Sequence, residues 1–364
     1  MKRIPHSRPT IGDKDIKAVS SVLKSGLIAQ GTVVKEFEKA FSGYNGVNGG
    51  VAVSSGTAAL HLALLALGVG KGDSIIIPSY SCSAPYNAVR FTGARPVLAD
   101  TARDGWDIGA EWVGKYLKGR PKNLRIKAII IVHLFGKPVD MDDFMDISRR
   151  YAIPLIEDCA LSVGAEYKGR KVGSFGEVSV FSFYATKVMT TGEGGMILSN
   201  SKELLRHARD LREYDEKGDN TLRFNYKMTD FQAAMGLSQL GRLPEFIKKR
   251  RRIAKKYIHG LRGLPVSLRK EDSCEKDIYY RFIVRMNRAG RFIKEMGEEG
   301  IICRRPVFMP LHRLIRHCAL PNSEHIWKEA VSLPIYPSLD QNSAEKVITC
   351  AREIIERMGL GAGR

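Results

Sequence analysis

Three short segments contain residue types that could bind a phosphate group, a ring nitrogen and an aldehyde. The first is Ser54-Ser55-Gly56-Thr57, which lies between a short apolar run and an apolar helical pattern. Backbone N–H groups at the start of a helix, with hydroxyl groups beside them, form a common type of anion site. Ser and Thr are also favoured helix N-caps, so this segment alone could equally start a helix and bind nothing.

The second and third segments supply an acid and a lysine. Glu157-Asp158 follow the apolar run Pro154–Ile156, and a carboxylate at the carboxyl end of a buried strand is well placed to face a ligand. Lys187 lies shortly after the strand pattern Val178–Phe181, where removal from water would make its amine nucleophilic. The simpler interpretations are an acidic start to a loop and a solvated surface lysine.

Together, the three segments match the needs of one cofactor. Pyridoxal phosphate requires a phosphate cradle, a carboxylate for its pyridine nitrogen and a lysine that forms a Schiff base with its aldehyde. Lys187 lies 29 residues after Asp158, and Ser182 precedes it by five. The combination therefore predicts a pyridoxal-phosphate enzyme.

The surrounding pattern predicts an α/β fold. Short apolar strands alternate with helix patterns over the first 200 residues, which indicates a mostly parallel sheet covered on both faces. The expected strands are Val51–Val53, Ser74–Ile77, Arg95–Ala99, Ala128–Val132, Pro154–Ile156, Val178–Phe181 and Gly195–Leu198. The expected helices between them include Ala58–Leu67, Ser83–Phe91, Ala110–Leu117 and Asp140–Tyr151.

The pattern changes after Thr229. Two helices are expected, Thr229–Leu240 and Pro244–Leu261, with Pro244 in the tolerated first turn of the second. A smaller mixed α/β segment follows, with a strand at Tyr280–Val284. We therefore expect a large cofactor domain over residues 1–250 and a small α/β domain over residues 251–364.

Composition excludes several classes of protein. No apolar run approaches the ~20 residues that a bilayer requires, and the first residues have no apolar segment typical of an export signal. The six cysteines show no C-x-x-C pair or metal-ligand spacing, so we predict no metal site and a cytoplasmic location with reduced thiols. The formal charge is +19, of which +12 falls in residues 241–364.

The chain resembles the DegT/DnrJ/EryC1/StrS family of sugar aminotransferases, within the fold-type I pyridoxal-phosphate enzymes. The resemblance covers nearly the whole chain. The segments that carry it are SSGTAALHLAL (54–64), GDSIIIPSYSCSA (72–84), IEDCA (156–160), VGSFGEVSVFSFYATKVMTTGEGGM (172–196), NYKMTDFQAA (225–234) and LPIYPSL (333–339). The stretch around Lys187 is the most specific of them.

The resemblance implies a role for each matching residue. Lys187 would form the Schiff base with the cofactor, and Asp158 would pair with its protonated pyridine nitrogen. Gly56, Thr57 and Ser182 would hold the phosphate. Asn225 would reach the phosphate in the neighbouring subunit of a homodimer, although from the residues alone it could be a turn or capping residue before Thr229. The implied reaction moves an amino group from an amino acid, L-glutamate in most of the family, to a nucleotide-linked keto-sugar.

Two positions depart from the commoner family pattern. Cys82 stands where many members have an aromatic residue that stacks on the cofactor ring, and Leu161 stands where they have Gln or His near the ring. Tyr80 or Tyr86 could supply the missing aromatic contact, and Cys82 could equally be a small buried apolar residue.

Other residues allow further interpretations. His133 could line the site or be structural. His312 and His317, among Arg304, Arg305, Arg313 and Arg316, could contact a sugar nucleotide or form a solvated basic face. The basic run KKRRRIAKK (248–256) suggests a non-enzymatic nucleic-acid binder, but helical spacing would spread its residues around a helix, and no known nucleic-acid-binding motif accompanies it. A dehydratase branch of the same family has His at the lysine position, so Lys187 favours transamination.

Overall fold

A computed structural model describes residues 3–103, 105–121, 123–269, 272–316 and 319–360. The strands are β1 (Gly49–Val53), β2 (Ser74–Pro78), β3 (Arg95–Ala99), β4 (Ile126–Val132), β5 (Leu155–Asp158), β6 (Glu166–Tyr167), β7 (Arg170–Lys171), β8 (Val178–Ser182), β9 (Gly195–Ser199), β10 (Ser267–Leu268), β11 (Glu275–Lys276), β12 (Phe282–Arg285) and β13 (Ala330–Leu333). The helices are α1 (Asp13–Ser25), α2 (Thr32–Asn45), α3 (Gly56–Ala66), α4 (Ala84–Phe91), α5 (Ala110–Gly119), α6 (Met141–Tyr151), α7 (Lys202–Arg212), α8 (Asp230–Gly260), α9 (Ala289–Glu298), α10 (Leu311–Leu314), α11 (Pro321–Glu329) and α12 (Gln341–Leu360).

The central sheet has seven strands in the order β1-β9-β8-β5-β4-β2-β3. The pairs β3-β2, β2-β4, β4-β5 and β5-β8 are parallel, whereas β9 is antiparallel to both of its neighbours. The predicted mostly parallel α/β sheet is therefore confirmed, and each of its seven strands lies within a few residues of the predicted position.

Both faces of this sheet are buried. In β4, Ile130 packs on one side with α3, α4 and α7, and its neighbours Ile129 and Ile131 pack on the other with α5 and α6. This alternation explains why the strands are apolar at nearly every position, since each face needs its own apolar set. The parallel strands consequently end together at one edge, where a ligand can bind.

A second sheet, β10-β12-β13, is antiparallel and packs with α9, α12 and the C-terminal half of α8. The prediction of two separate helices over residues 229–261 is wrong, because α8 is one helix that continues without interruption through Pro244. Proline removes one helical hydrogen bond and usually ends or bends a helix. Here Leu243, Phe246 and Ile247 are buried on either side of it, so tertiary packing holds the helix together across Pro244.

The division into domains at residue 250 stays a prediction, and that position falls inside α8. No helix among the described residues is long and apolar enough to cross a membrane.

Candidate active site

The carboxyl ends of the central strands open onto a cavity of about 320 Å³. Asp158 is the last residue of β5, and Lys187 follows the end of the neighbouring strand β8 by five residues. Both side chains line the cavity, together with Cys82 and Leu161. The structure thus brings the two predicted catalytic residues, and the two positions that depart from the family pattern, into one pocket.

Asp158 is buried, with 3% of its surface exposed. Its Oδ1 accepts a hydrogen bond from the Ala160 backbone N–H at 3.0 Å, which fixes the carboxyl orientation. Burial raises the pKa of Asp158, while the Ala160 N–H and the nearby Lys187 act in the opposite direction. A protonated ring nitrogen placed beside this carboxyl would supply the positive partner that a buried carboxylate requires.

Lys187 is half-buried and approaches an aromatic ring. Its Nζ lies 5.8 Å from the centre of the Tyr280 ring. Burial would raise the pKa of Tyr280, but Arg281, Lys187 and a hydrogen bond with Thr186 bring it below the ordinary value. Arg281 Nη2 also donates to the Tyr280 hydroxyl at 3.2 Å. Tyr280 and Arg281 therefore add polar groups to a pocket that already contains Asp158 and Lys187, and they were not identified from the sequence.

The segment Ser54-Ser55-Gly56-Thr57 joins β1 to α3. Ser55 is the N-cap of α3 and accepts a hydrogen bond from Ala58 N–H at 3.1 Å, so the simpler interpretation of this segment also holds. Gly56 and Thr57 are the first helical residues, and their N–H groups have no acceptor within the helix. They are available to an anion.

Two glycines allow this turn to reach the end of β8. A Cβ atom on Gly56 would lie 2.8 Å from Cβ of Ser182, the last residue of β8. A Cβ atom on Gly195, opposite Ser182 in β9, would lie 2.3 Å from the carbonyl oxygen of Ser55. The Ser182 side chain and the start of α3 are thus packed together, and the hydroxyl with the free N–H groups forms an arrangement that fits a phosphate.

Asn225 is exposed and does not line the pocket of its own chain. The adjacent Tyr226 carbonyl accepts a hydrogen bond from Ser54 N–H at 2.8 Å, which places residue 225 beside the end of β1. Within one chain, the structure does not bring Asn225 together with Asp158 and Lys187.

Neither Tyr80 nor Tyr86, the two candidates for the missing aromatic contact, lines the pocket. Tyr80 is fully buried and makes an edge contact with the Phe135 ring at 6.3 Å between centres. Phe135, Tyr280 and Phe308 are the aromatic residues that line the pocket. Phe308 is 89% exposed, so one wall of the pocket presents a large apolar side chain to solvent.

His133, Glu157 and Cys159 form a buried group behind the pocket, with one potential ligand atom from each within 4.8 Å of the others. His133 Nε2 lies 3.1 Å from Glu157 Oε2, and His133 Nδ1 accepts a hydrogen bond from Val139 N–H. Burial raises the pKa of the Cys159 thiol. With both ring nitrogens engaged and the thiol protonated, this group is suited to holding β4 and β5 together rather than to binding a metal.

The basic residues expected near the sugar nucleotide are mostly engaged elsewhere. His312 is buried and bonds Ser79 Oγ at 2.8 Å, and Arg313 forms a two-pronged ion pair with Glu324. Arg305 donates to the backbone of α11 and stacks on Trp327. None of these residues lines the pocket, and neither do Arg304 and Arg316. His317 lies outside the described residues.

A lysine and a buried aspartate lie at the strand ends of a mostly parallel sheet, and the start of α3, with its free N–H groups, packs against the end of β8. This combination is typical of a fold-type I pyridoxal-phosphate transferase. The DegT/DnrJ/EryC1/StrS aminotransferase family model matches residues 9–352, and the chain belongs to this family. It is a sugar aminotransferase, and its cofactor is pyridoxal 5′-phosphate.

Known proteins resemble the chain along its full length. A GDP-perosamine synthase of Escherichia coli O157:H7 is 34% identical over 371 residues, which cover 98% of this chain and 99% of that protein. The aminotransferase TlmJ of Streptoalloteichus hindustanus is 30% identical, with a TM-score of 0.92 over 98% of this chain and 100% of its own. DesV of S. venezuelae, solved in complex with a ketimine intermediate, is 30% identical, with a TM-score of 0.91 over 98% and 99%.

Proposed function

We propose that the enzyme transfers an amino group from L-glutamate to the ketone of a nucleotide-linked sugar, giving an amino sugar for polysaccharide or secondary-metabolite biosynthesis. The observation that carries this proposal is the pocket in which Lys187 and Asp158 face the same 320 Å³ space. The similarity to a GDP-perosamine synthase supports a nucleotide-linked substrate.

Each predicted site residue has a distinct task in this proposal, including Ser182, Gly56 and Thr57, which lie outside the lining of the pocket. Pyridoxal phosphate, when bound, supplies an electron sink for the carbon that loses its proton. Asp158 keeps the pyridine nitrogen protonated, and Ser182 with the N–H groups of Gly56 and Thr57 holds the phosphate. The Lys187 amine would take up the proton that leaves the donor's α-carbon, which requires Nζ within hydrogen-bond reach of that carbon.

Arg281 is the pocket residue suited to the donor's carboxylate. Its guanidinium lies at the pocket wall, 4.6 Å from the centre of the Tyr280 ring, and a planar guanidinium can bind a carboxylate through two hydrogen bonds. The remaining walls, formed by residues such as Leu134, Val307 and Met309, are apolar and would exclude water from the proton transfer. Glutamate and the sugar would use this space in turn.

The proposed enzyme is a homodimer in which Asn225 of one subunit completes the phosphate site of the other. Its exposure, and its absence from the pocket lining of its own chain, support this arrangement. Mixing Lys187→Ala subunits with Asn225→Ala subunits tests it. Hybrid dimers then contain one site with both native residues, so random mixing restores about a quarter of native activity. No recovery would mean that Asn225 serves its own chain.

The reaction is tested with a panel of nucleotide-linked 3-keto and 4-keto sugars and ¹⁵N-labelled L-glutamate. We expect the label in one sugar product, a yellow purified protein, and attachment of the cofactor to Lys187 after borohydride reduction. Lys115→Ala, on the exposed face of α5, is the control that leaves the activity unchanged. A colourless Lys187→Ala enzyme that still aminates a keto-sugar would refute the mechanism.

The proposed location is the cytoplasm. Cys82, Cys159, Cys274, Cys303 and Cys350 are free thiols, which suits a reducing compartment.

A further inference from the structure

A second, larger cavity lies along the C-terminal half of α8. Its volume is about 1010 Å³, and it shares no lining residue with the catalytic pocket. One wall is α8 from Pro244 to Gly260, and the other walls are the β6-β7 hairpin with β11 and the start of α12. We call this cavity the basic groove. Its lining residues are Tyr44, Gly164, Glu166, Lys171, Pro244, Ile247, Lys248, Arg251, Arg252, Lys255, Lys256, His259, Gly260, Lys276, Glu345 and Ile348.

The run KKRRRIAKK supplies most of the positive charge of the groove. Lys248, Arg251, Arg252, Lys255 and Lys256 are three or four positions apart or adjacent, so they share one face of α8. The nine residues of the run are spread around α8, as expected, but these five cations share one face. The remaining arginine of the run, Arg250, is buried on the opposite side of the helix.

The acidic residues of the groove are already occupied. Glu166 Oε1 lies 2.9 Å from Lys276 Nζ and 3.3 Å from Lys171 Nζ. Glu345 pairs with Lys256 at 3.3 Å. Among the described residues, the lining holds seven Lys and Arg against these two Glu, a formal charge of +5 with His259 neutral.

The helix presents further cations that these acids do not neutralise. Lys248, Arg252 and Lys255 are exposed and have no ion-pair partner among the residues that the structure describes. They extend over about 10 Å of helix at 1.5 Å per residue. A single phosphate would engage convergent donors, whereas these cations form a row, so they match a ligand with several negative charges along its length.

The walls of the groove discriminate among such ligands. Single-stranded nucleic acids bind through exposed aromatic rings as well as cations. Among the described residues the lining offers one Phe, Tyr or Trp ring, that of Tyr44, and the Lys171 ammonium lies over it at 4.8 Å. A bilayer surface is flat and would not enter a groove. Ile247 and Ile348 provide an apolar floor between the cations, and this suits a peptide that carries apolar as well as acidic side chains.

We propose that the basic groove binds an acidic segment of a partner protein, with carboxylates three to four positions apart facing Lys248, Arg252 and Lys255 and an apolar side chain resting on Ile247 and Ile348. The exposed cations would chiefly increase the rate of association, and their effect would fall as salt shortens the range of the electrostatic attraction.

The test uses the full-length holoenzyme and a fluorescein-labelled helical peptide of about twelve residues, long enough to span the groove. The peptide carries Glu at the first, fourth, fifth and eighth positions and Leu between them. We expect saturable binding by fluorescence anisotropy that weakens as salt rises, and at least ~10-fold weaker binding when Arg252→Glu and Lys255→Glu are combined. Aminotransferase activity of this variant should stay at the native level, which shows that it is folded.

A matched control separates the groove from the overall charge of +19. Lys115→Glu with Lys118→Glu, both exposed on α5, makes the same charge change elsewhere and should bind the peptide within about twofold of the native protein. Equal loss in both double variants would overturn the proposal, as would no binding to the native protein. Tighter binding of a thymidine oligonucleotide or of phosphatidylserine vesicles than of the peptide would also overturn it.

Discussion

Replacement of Glu157 by Gln should destabilise the fold strongly while removing almost no volume. Glu157 is fully buried next to Asp158, and backbone N–H groups surround its carboxylate. Gly173 N–H donates to Oε2 at 2.7 Å, while Phe175 and Gly176 N–H donate to Oε1, both at 2.7 Å. Burial would raise the pKa of Glu157, but His133 and these N–H groups lower it below its usual value, so the residue is a carboxylate at neutral pH.

A glutamine side chain cannot satisfy this arrangement in either orientation. With its NH₂ group at the Oε1 position, it would face the N–H groups of Phe175 and Gly176. With the NH₂ group at the Oε2 position, it would face Gly173 N–H and His133, whose Nε2 carries the proton because Nδ1 accepts a hydrogen bond from Val139. Two donors lose their acceptor in both cases. Hydrogen bonds to a buried charge contribute about 1.5–3 kcal/mol each, so we expect a loss of about 3–5 kcal/mol.

The measurement is the free energy of unfolding in urea, followed by far-ultraviolet circular dichroism on the holoenzyme. The control is Glu245→Gln, which removes an exposed ion pair with Lys249 on α8 and should cost under about 0.5 kcal/mol. A Glu157→Gln protein within about 1 kcal/mol of the native enzyme would refute the argument, because the carboxylate would then not be needed by its four donors.

Three other changes test separate parts of the structure. Gly195→Ala places a Cβ atom 2.3 Å from the Ser55 carbonyl oxygen and should weaken cofactor binding at least ~10-fold in a spectroscopic titration. Gly43→Ala, which has open space around it, is the control and should leave the affinity unchanged. Equal affinities of the two variants would contradict the close packing at Gly195. Burial, then Arg281 and Arg304, lower the pKa of His6 from 6.5 to about 3, so the unfolded chain binds a proton that the folded chain refuses between those values. Unfolding free energy should therefore fall as the pH drops from 6.5 towards 3, and His6→Gln should flatten this dependence; an unchanged slope would argue against it. Burial lowers the pKa of Arg250 to about 9, which leaves its guanidinium charged at neutral pH. Arg250→Met should reduce the free energy of unfolding in urea by about 3 kcal/mol, because three backbone carbonyls lose the guanidinium as a donor. An unchanged free energy of unfolding would contradict this role of the guanidinium.

The strands of the central sheet, and the place of Asp158 and Lys187 near their carboxyl ends, could be predicted because their signals are local. Strands such as β4 and β5 are short apolar runs, and a run that is buried on both faces shows this in its composition. Asp158 and Lys187 lie at fixed distances from those runs, so the order of strands and turns brings them to one edge of the sheet.

Other parts of the site depend on residues that are distant along the chain. Tyr280 and Arg281 reach the pocket because the chain after α8 returns to the strand ends, where Arg281 N–H bonds the Phe135 carbonyl at 3.1 Å. No spacing rule connects residues so far apart. The same is true of Tyr80, whose aromatic character indicated a place near the ring but whose side chain is enclosed in the core.

The sequence by itself determined the class of this protein, through the apolar strands of a mostly parallel sheet and through a turn, an acid and a lysine that resemble those of pyridoxal-phosphate aminotransferases. It also determined the basic character of the C-terminal third. Only the tertiary structure decided which basic residues are buried and which face solvent. In KKRRRIAKK, Arg250 turns inward to bind three carbonyls, while its neighbours Arg252 and Lys255 face the basic groove. Likewise α8 passes through Pro244 where local propensity predicts a break. Burial against distant segments outweighs local preference in both places, since the packing of a whole helix face involves more free energy than one proline or one charge.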